Sequence, residues 1–239
     1  MKNSNIISQR TSAMVAGISL LLMALVAGVT YGYLHGNLMV ANNAQATFQN
    51  LQSSPGAFRA EIAGWLVIFV LDGIVAWALF HFFAKANKGL SFISSLLRVL
   101  YTAILGMAIY QLPLILLKLS NQVENTAMEQ SALEAMHFLL SFEDIWSKGL
   151  IVFGFHLMTL GYLAFKADYV PRFWAVLLLL AGASYAYIHA TYAVFPNMTD
   201  ALTSVEAGLA IPMAVGEVGF AIWLVLKGGK LKSMKRAVA

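Results

Sequence analysis

Long apolar runs alternate with short polar stretches along this chain, and six of the runs are long enough to cross a bilayer as helices. They lie at about 12–34, 60–83, 90–117, 148–165, 173–195 and 205–226. Roughly 20 apolar residues span a hydrocarbon core, so each run qualifies by length or nearly so. The pattern predicts an all-α fold, a polytopic helical bundle of six spans forming a single transmembrane domain over residues 1–239. The connections leave no room for a separate soluble domain. Two of them are long. From Gly36 to Arg59 the chain is rich in Asn, Gln, Ser and Ala, with Pro55-Gly56 as a turn signal. Residues 120–147 are acidic, and within them Met128, Ala132, Met136 and Leu139 recur at three- and four-residue spacing. That spacing predicts a short amphipathic helix in an extracytoplasmic loop, resting on the membrane surface or capping the bundle.

Charge orients the predicted spans. With the N-terminus in the cytoplasm, that face holds eleven of the fifteen basic residues: Lys2, Arg10, Lys85, Lys88, Lys166, Arg172, Lys227, Lys230, Lys232, Lys235 and Arg236. The other face holds Arg59, Lys118 and Lys148, and Arg98 falls inside a span. Short loops with this bias follow the positive-inside rule, which places both termini in the cytoplasm. Lys2 and Arg10 before an apolar stretch resemble a secretory signal. The run from Ser12 to Leu34 exceeds a usual signal core, so we read it as an uncleaved first span.

Composition removes several function classes. The chain is 60% hydrophobic and 11% charged, with mean hydropathy +0.74, too apolar for an ordinary soluble domain. A sequence pI near 9.3 suggests nucleic acid, but the basic residues sit at span ends and meet lipid head groups instead. The partner it implies is the lipid bilayer, with no nucleic acid. No cysteine is present, so thiolate chemistry, disulfides and cysteine lipidation are excluded.

Packing signals are uneven. Ala24, Gly28, Gly32 and Gly36 form a small-residue stripe on the first span, read as a helix-packing face within the chain or as a homo-oligomer contact. Span six has a similar face at Ala210, Ala214 and Ala221. Pro113 and Pro212 lie inside spans three and six, where each removes a backbone donor and can kink its helix.

The candidate chemistry is a layer of ionisable groups inside the spans, each costing roughly 2.5 to 3.5 kcal/mol at a helix centre. At about 1.5 Å per residue, Asp72 lies roughly 16 Å from the inner end of its span, Arg98 roughly 12 Å, and His156 and Glu217 roughly 14 Å. Four groups on four helices thus share one level. The residue types suit an Asp72–Arg98 ion pair with His156 and Glu217 nearby, because guanidinium binds carboxylate bidentately and stays charged. Three readings follow: a polar lock between helices, a site that binds or moves a small molecule, lipid or proton, and an intramembrane enzyme using His156 with Glu217 or Asp72. Ser184 is the nearest hydroxyl by type for the enzyme reading. Metal ligation would draw on His156, Asp72 and Glu217, without HExxH spacing, and no cofactor is implied. His189 and Gln111, with Tyr185, Tyr187 and Tyr192, read as an interfacial belt. His35, His81 and His137, at helix ends or in loops, suggest no special role. Asn197-Met198-Thr199 matches a glycosylation sequon.

The run from Gly149 through Gly154-Phe155-His156-Leu157 to Gly161-Tyr162-Leu163-Ala164-Phe165-Lys166 resembles a bacterial membrane family, domain of unknown function 4386. Tyr169-Val170-Pro171-Arg172, Ala181-Gly182, Gly216-Glu217, Trp223-Leu224 and Lys227-Gly228 are similar to it in the same order. So is the acid of span two followed by an early arginine in span three, here Asp72 and Arg98. The resemblance covers most of the chain from about Ala60. It implies a bacterial cytoplasmic (inner) membrane protein of about six helices, and no activity, leaving a structural or assembly subunit as a further reading.

Overall fold

The computed structural model describes residues 8–120, 125–195 and 199–230. The sequon at Asn197 and the basic residues Lys2, Lys232, Lys235 and Arg236 lie outside the described residues. The elements are α1 (Gln9–Ala27), a π-helical segment (Gly28–His35), α2 (Gly36–Leu38), α3 (Ala44–Ser53), α4 (Pro55–Phe83), α5 (Lys88–Ile109), α6 (Gln111–Ser120), α7 (Asn125–Lys166), α8 (Arg172–Val194) and α9 (Thr199–Leu226). No strand occurs among the described residues. Six helical stretches are long and apolar enough to cross a membrane: Gln9–Leu38, Pro55–Phe83, Lys88–Leu119, Met128–Lys166, Arg172–Val194 and Leu202–Leu226. The protein is therefore an all-α, multi-pass membrane protein.

Helix α5 shows how the sequence encodes this. Its buried face carries Ser91, Ser94 and Arg98, while Phe92, Ile93, Leu96, Val99 and Leu100 are about half exposed. In water such a helix would be inside out. In lipid the outward apolar side chains need no partner, and the inward polar ones are satisfied by neighbouring helices.

The fourth span departs from expectation. In place of a loop carrying a short surface helix, the chain runs as one helix of 42 residues, α7. The four acids Glu129, Glu134, Glu143 and Asp144 lower its hydropathy, but no Gly or Pro interrupts residues 125–148, and strong helix formers dominate. At 1.5 Å per residue it extends about 60 Å, twice a hydrocarbon core. The polar connection after span one is also more ordered than a loop. Asn43 caps α3 by accepting from the Ala46 N–H at 2.9 Å. Pro55 opens α4, at a first-turn position where the missing N–H would have had no helical partner.

Pro113 does more than kink span three. The helix breaks at Tyr110 and restarts at Gln111, because Pro113 lacks the N–H that would have bonded the Ile109 carbonyl. Helix α9 continues through Pro212.

The chain groups into two compact units. The first comprises Met1–Leu22, Leu71–Tyr101 and Lys148–Ala239; the second comprises Met23–Val70 and Thr102–Ser147. In the first unit, α8 packs on α9 and α7 meets α8 backbone to backbone. A Cβ built on Gly154 would lie 2.6 Å from the Gly182 carbonyl, and one on Gly182 2.6 Å from the Gly154 carbonyl. Arg10 donates to the carbonyls of Leu224, Val225 and Gly228 at 3.1, 2.5 and 2.9 Å, closing the C-terminal end of α9. Gly229, at φ +73°, makes the left-handed turn that ends this helix. The Tyr169 hydroxyl donates to the Phe82 carbonyl at 2.9 Å, and burial pushes this phenol above its ordinary range.

Among the described residues, the glycine stripe meets no packing partner at Gly28 and Gly32. Ala24, Gly28, Gly32 and Gly36 are all exposed, and a Cβ on Gly28 or Gly32 would meet nothing within 4 Å. The stripe stays on the outward side of the helix through the π-helical segment.

Candidate functional site

The first unit contains a polar centre built by α4, α5 and α7. Arg98 Nη2 donates to Asp72 Oδ1 at 2.5 Å, and the two side chains are 2% and 0% exposed. Arg98 Nη1 lies 3.3 Å from His156 Nε2. His156 Nδ1 lies 2.8 Å from the Ser94 carbonyl oxygen and 3.1 Å from Ser94 Oγ. The Phe153 ring lies under the guanidinium, 5.5 Å from Cζ to centroid. Two hydroxyls fasten α5 to α4 on the same side: Ser95 Oγ donates to the Ala76 carbonyl at 3.0 Å and Ser91 Oγ to the Phe80 carbonyl at 2.8 Å.

These contacts fix the state of His156. A guanidinium only donates, so Nε2 must accept; a carbonyl only accepts, so Nδ1 must carry the proton. The imidazole is therefore neutral, with its lone pair held by Arg98. General-base work by His156 would require that lone pair to be released from Arg98 first. The chain of contacts runs Ser94–His156–Arg98–Asp72 and is not a hydrolytic triad, because the nitrogen that would take a serine proton already bears one and the other ring nitrogen meets a guanidinium rather than a carboxylate. Ser184 Oγ donates to the Leu180 carbonyl of its own helix at 2.9 Å. Among the described residues no three His, Asp or Glu side chains are arranged to hold a metal ion.

Glu217 of α9 stands half-buried beside this trio. It interacts with the Tyr185 phenol and lies within electrostatic reach of Arg98 and Asp72. Tyr185 in turn packs edge-on to Phe153 at 5.3 Å and stacks with His189 at 6.1 Å. Arg98 thus touches both Asp72 and His156, and Glu217 interacts electrostatically with Arg98 and Asp72. Sequence reasoning missed Ser94 and assigned Tyr185 to the interfacial belt. The signal for Ser94 was present, since Ser91, Ser94 and Arg98 repeat at helical spacing on one face.

His35 was also passed over. In the second unit it is 4% exposed and bonded to two glutamates. Nothing in the span pattern signals this, because His35 comes from the π-helical segment and Glu143 from the N-terminal extension of α7.

A family model for a domain of unknown function (DUF4386) matches residues 15–228. An uncharacterized protein of Archaeoglobus fulgidus is 31% identical over 173 residues, covering 72% of this chain and 86% of that protein. No solved structure matches the chain.

Proposed function

The chain belongs to the family of the domain of unknown function (DUF4386), a membership that names no chemistry, and from the site we propose that it binds or moves a small molecule, lipid or proton through its buried polar centre. The observation that carries this reading is a charge imbalance. Two carboxyl groups, Asp72 and Glu217, address one guanidinium, while His156 is neutral. Asp72 engages Arg98 directly, so Glu217 is left with a phenol as its near neighbour. In an apolar surrounding a bare carboxylate is replaced by its protonated form or by a bound cationic group. Glu217 is the group of the four that is partly exposed, which suits it to exchange with its surroundings. The reading places the protein in the cytoplasmic membrane of a bacterium, with both termini on the cytoplasmic side, as the lysine and arginine bias supports. Asp72, Arg98 and His156 hold the helices in register, and Glu217 with Tyr185 takes the exchanging group.

Two assays on the purified chain test this. In liposomes containing a pH dye, wild type dissipates an imposed proton gradient faster than empty vesicles, and Glu217→Gln does not. In native mass spectrometry, a bound lipid or small molecule travels with wild type and is depleted in Glu217→Gln. Vesicles no leakier than empty ones, together with a ligand-free mass spectrum, would refute the proposal.

A further inference from the structure

The second unit holds a separate polar centre that the Asp72 cluster does not use. His35 ends the π-helical segment, with Nδ1 2.7 Å from Glu61 Oε1 of α4 and Nε2 3.2 Å from Glu143 Oε1 of α7. The side chain of Glu143 is 31% exposed, those of His35 and Glu61 6% and 1%. One imidazole therefore joins a carboxyl that reaches the surroundings to one that does not. The titratable groups facing His35 are Glu61 from α4, Glu143 from α7 and Tyr31 from its own segment. Aromatic rings wall the path: Tyr31 stacks on His35 at 5.1 Å, and Trp65, Phe142 and Trp146 pack behind it.

Each of the two contacts needs one proton, because a carboxylate oxygen and a bare imidazole nitrogen both only accept. Two protons distributed over one imidazole and two carboxyls leave a net charge of −1 whichever atoms carry them. At the inner end, Glu61 Oε2 is buried without a hydrogen-bond partner among the described residues. A neutral carboxyl tolerates that position better than a carboxylate does.

We propose that Glu143, His35 and Glu61 form a proton relay that loads Glu61 from the accessible side. The starting form has Glu143 protonated, Nε2 bare and Nδ1–H donating to the Glu61 carboxylate. The Glu143 O–H bond breaks as the Nε2–H bond forms, and the Nδ1–H bond breaks as an O–H bond forms on Glu61. The Glu143 oxygen keeps its electron pair as carboxylate, one proton has crossed the ring, and no oxidant or co-reactant is needed. The transfer is reversible. It is independent of the Glu217 reading, and its readout belongs to a different residue.

The test is infrared difference spectroscopy on the full chain in lipid vesicles after an acid jump. Wild type gains a protonated-carboxyl band that shifts down in heavy water and is missing in Glu61→Gln. His35→Gln and Glu143→Gln slow its appearance by roughly a hundredfold, the lower end of what a positioned proton-transfer group supplies. Glu143 is partly exposed, so Glu143→Gln serves if His35→Gln fails to fold. A wild-type spectrum without the band, a band that survives Glu61→Gln, or unchanged rates in whichever relay variants fold would overturn the proposal.

Discussion

Replacing Arg98 by leucine, Asp72 by leucine, and both together separates a coupled pair from two independent polar residues. At an effective dielectric of roughly 20, unit charges about 4 Å apart attract by about 4 kcal/mol. Removing both ions from water costs several kcal/mol each, so the intact pair contributes little net stability. Removing one partner is different, because the other remains at 0–2% exposure without its counterion. Each single substitution should cost about 3–5 kcal/mol. By the behaviour of soluble domains of this size, that lowers Tm by roughly 6–20 °C. The double substitution should cost less than either single change plus the other, with a coupling of about 2–3 kcal/mol. Thermal unfolding in detergent or nanodiscs, followed through the five tryptophans, supplies the readout. Additivity within about 0.5 kcal/mol would falsify the pair as the organising contact. A residual coupling in Asp72→Leu that vanishes on adding Glu217→Gln would identify Glu217 as the substitute anion.

Three further outcomes follow from other contacts. Gly154→Leu or Gly182→Leu forces a side chain against backbone at 2.6 Å and should cost at least about 1–3 kcal/mol, seen as lost folded yield. Gly28→Leu with Gly32→Leu should leave monomer stability unchanged, since both positions face open space, and size-exclusion chromatography of that variant reads any contact with a second copy. Arg10→Ala releases three carbonyls at the end of α9 and should cost about 1.5–3 kcal/mol, with faster hydrogen exchange confined to residues around 224–230.

The six spans were legible because hydropathy acts over about twenty residues and tolerates local error. The Asp72, Arg98 and His156 convergence was legible for a related reason: depth along a helix is linear in residue number, so groups at one level are candidates to meet. Which of them touch depends on rotation about each axis, and there Ser91, Ser94 and Arg98 carried the information on α5. Two features were illegible for definite physical causes. The first part of α7 dilutes its apolar content with four acids, so a hydropathy criterion ends the span near Lys148 while helix propensity carries it back to Asn125. The glycine stripe shows that a face is smooth but not which way it turns, and it turns outward through the π-helical segment over Gly28–His35. The same segment brings His35 to Glu61 and Glu143, a site the span pattern does not signal.

The inverted face of α5 has a consequence for biogenesis. A nascent segment bearing Arg98 and inward serines partitions poorly into a bilayer by itself. Asp72 lies on the span immediately upstream, and four residues, 84–87, separate the two helices. α4 and α5 should therefore leave the translocon as a hairpin, with the counterion delivered before the guanidinium meets acyl chains. Changing Asp72 to Leu should then raise the fraction of chains in which α5 fails to insert, a defect readable by glycosylation mapping of nascent chains before any folded protein exists.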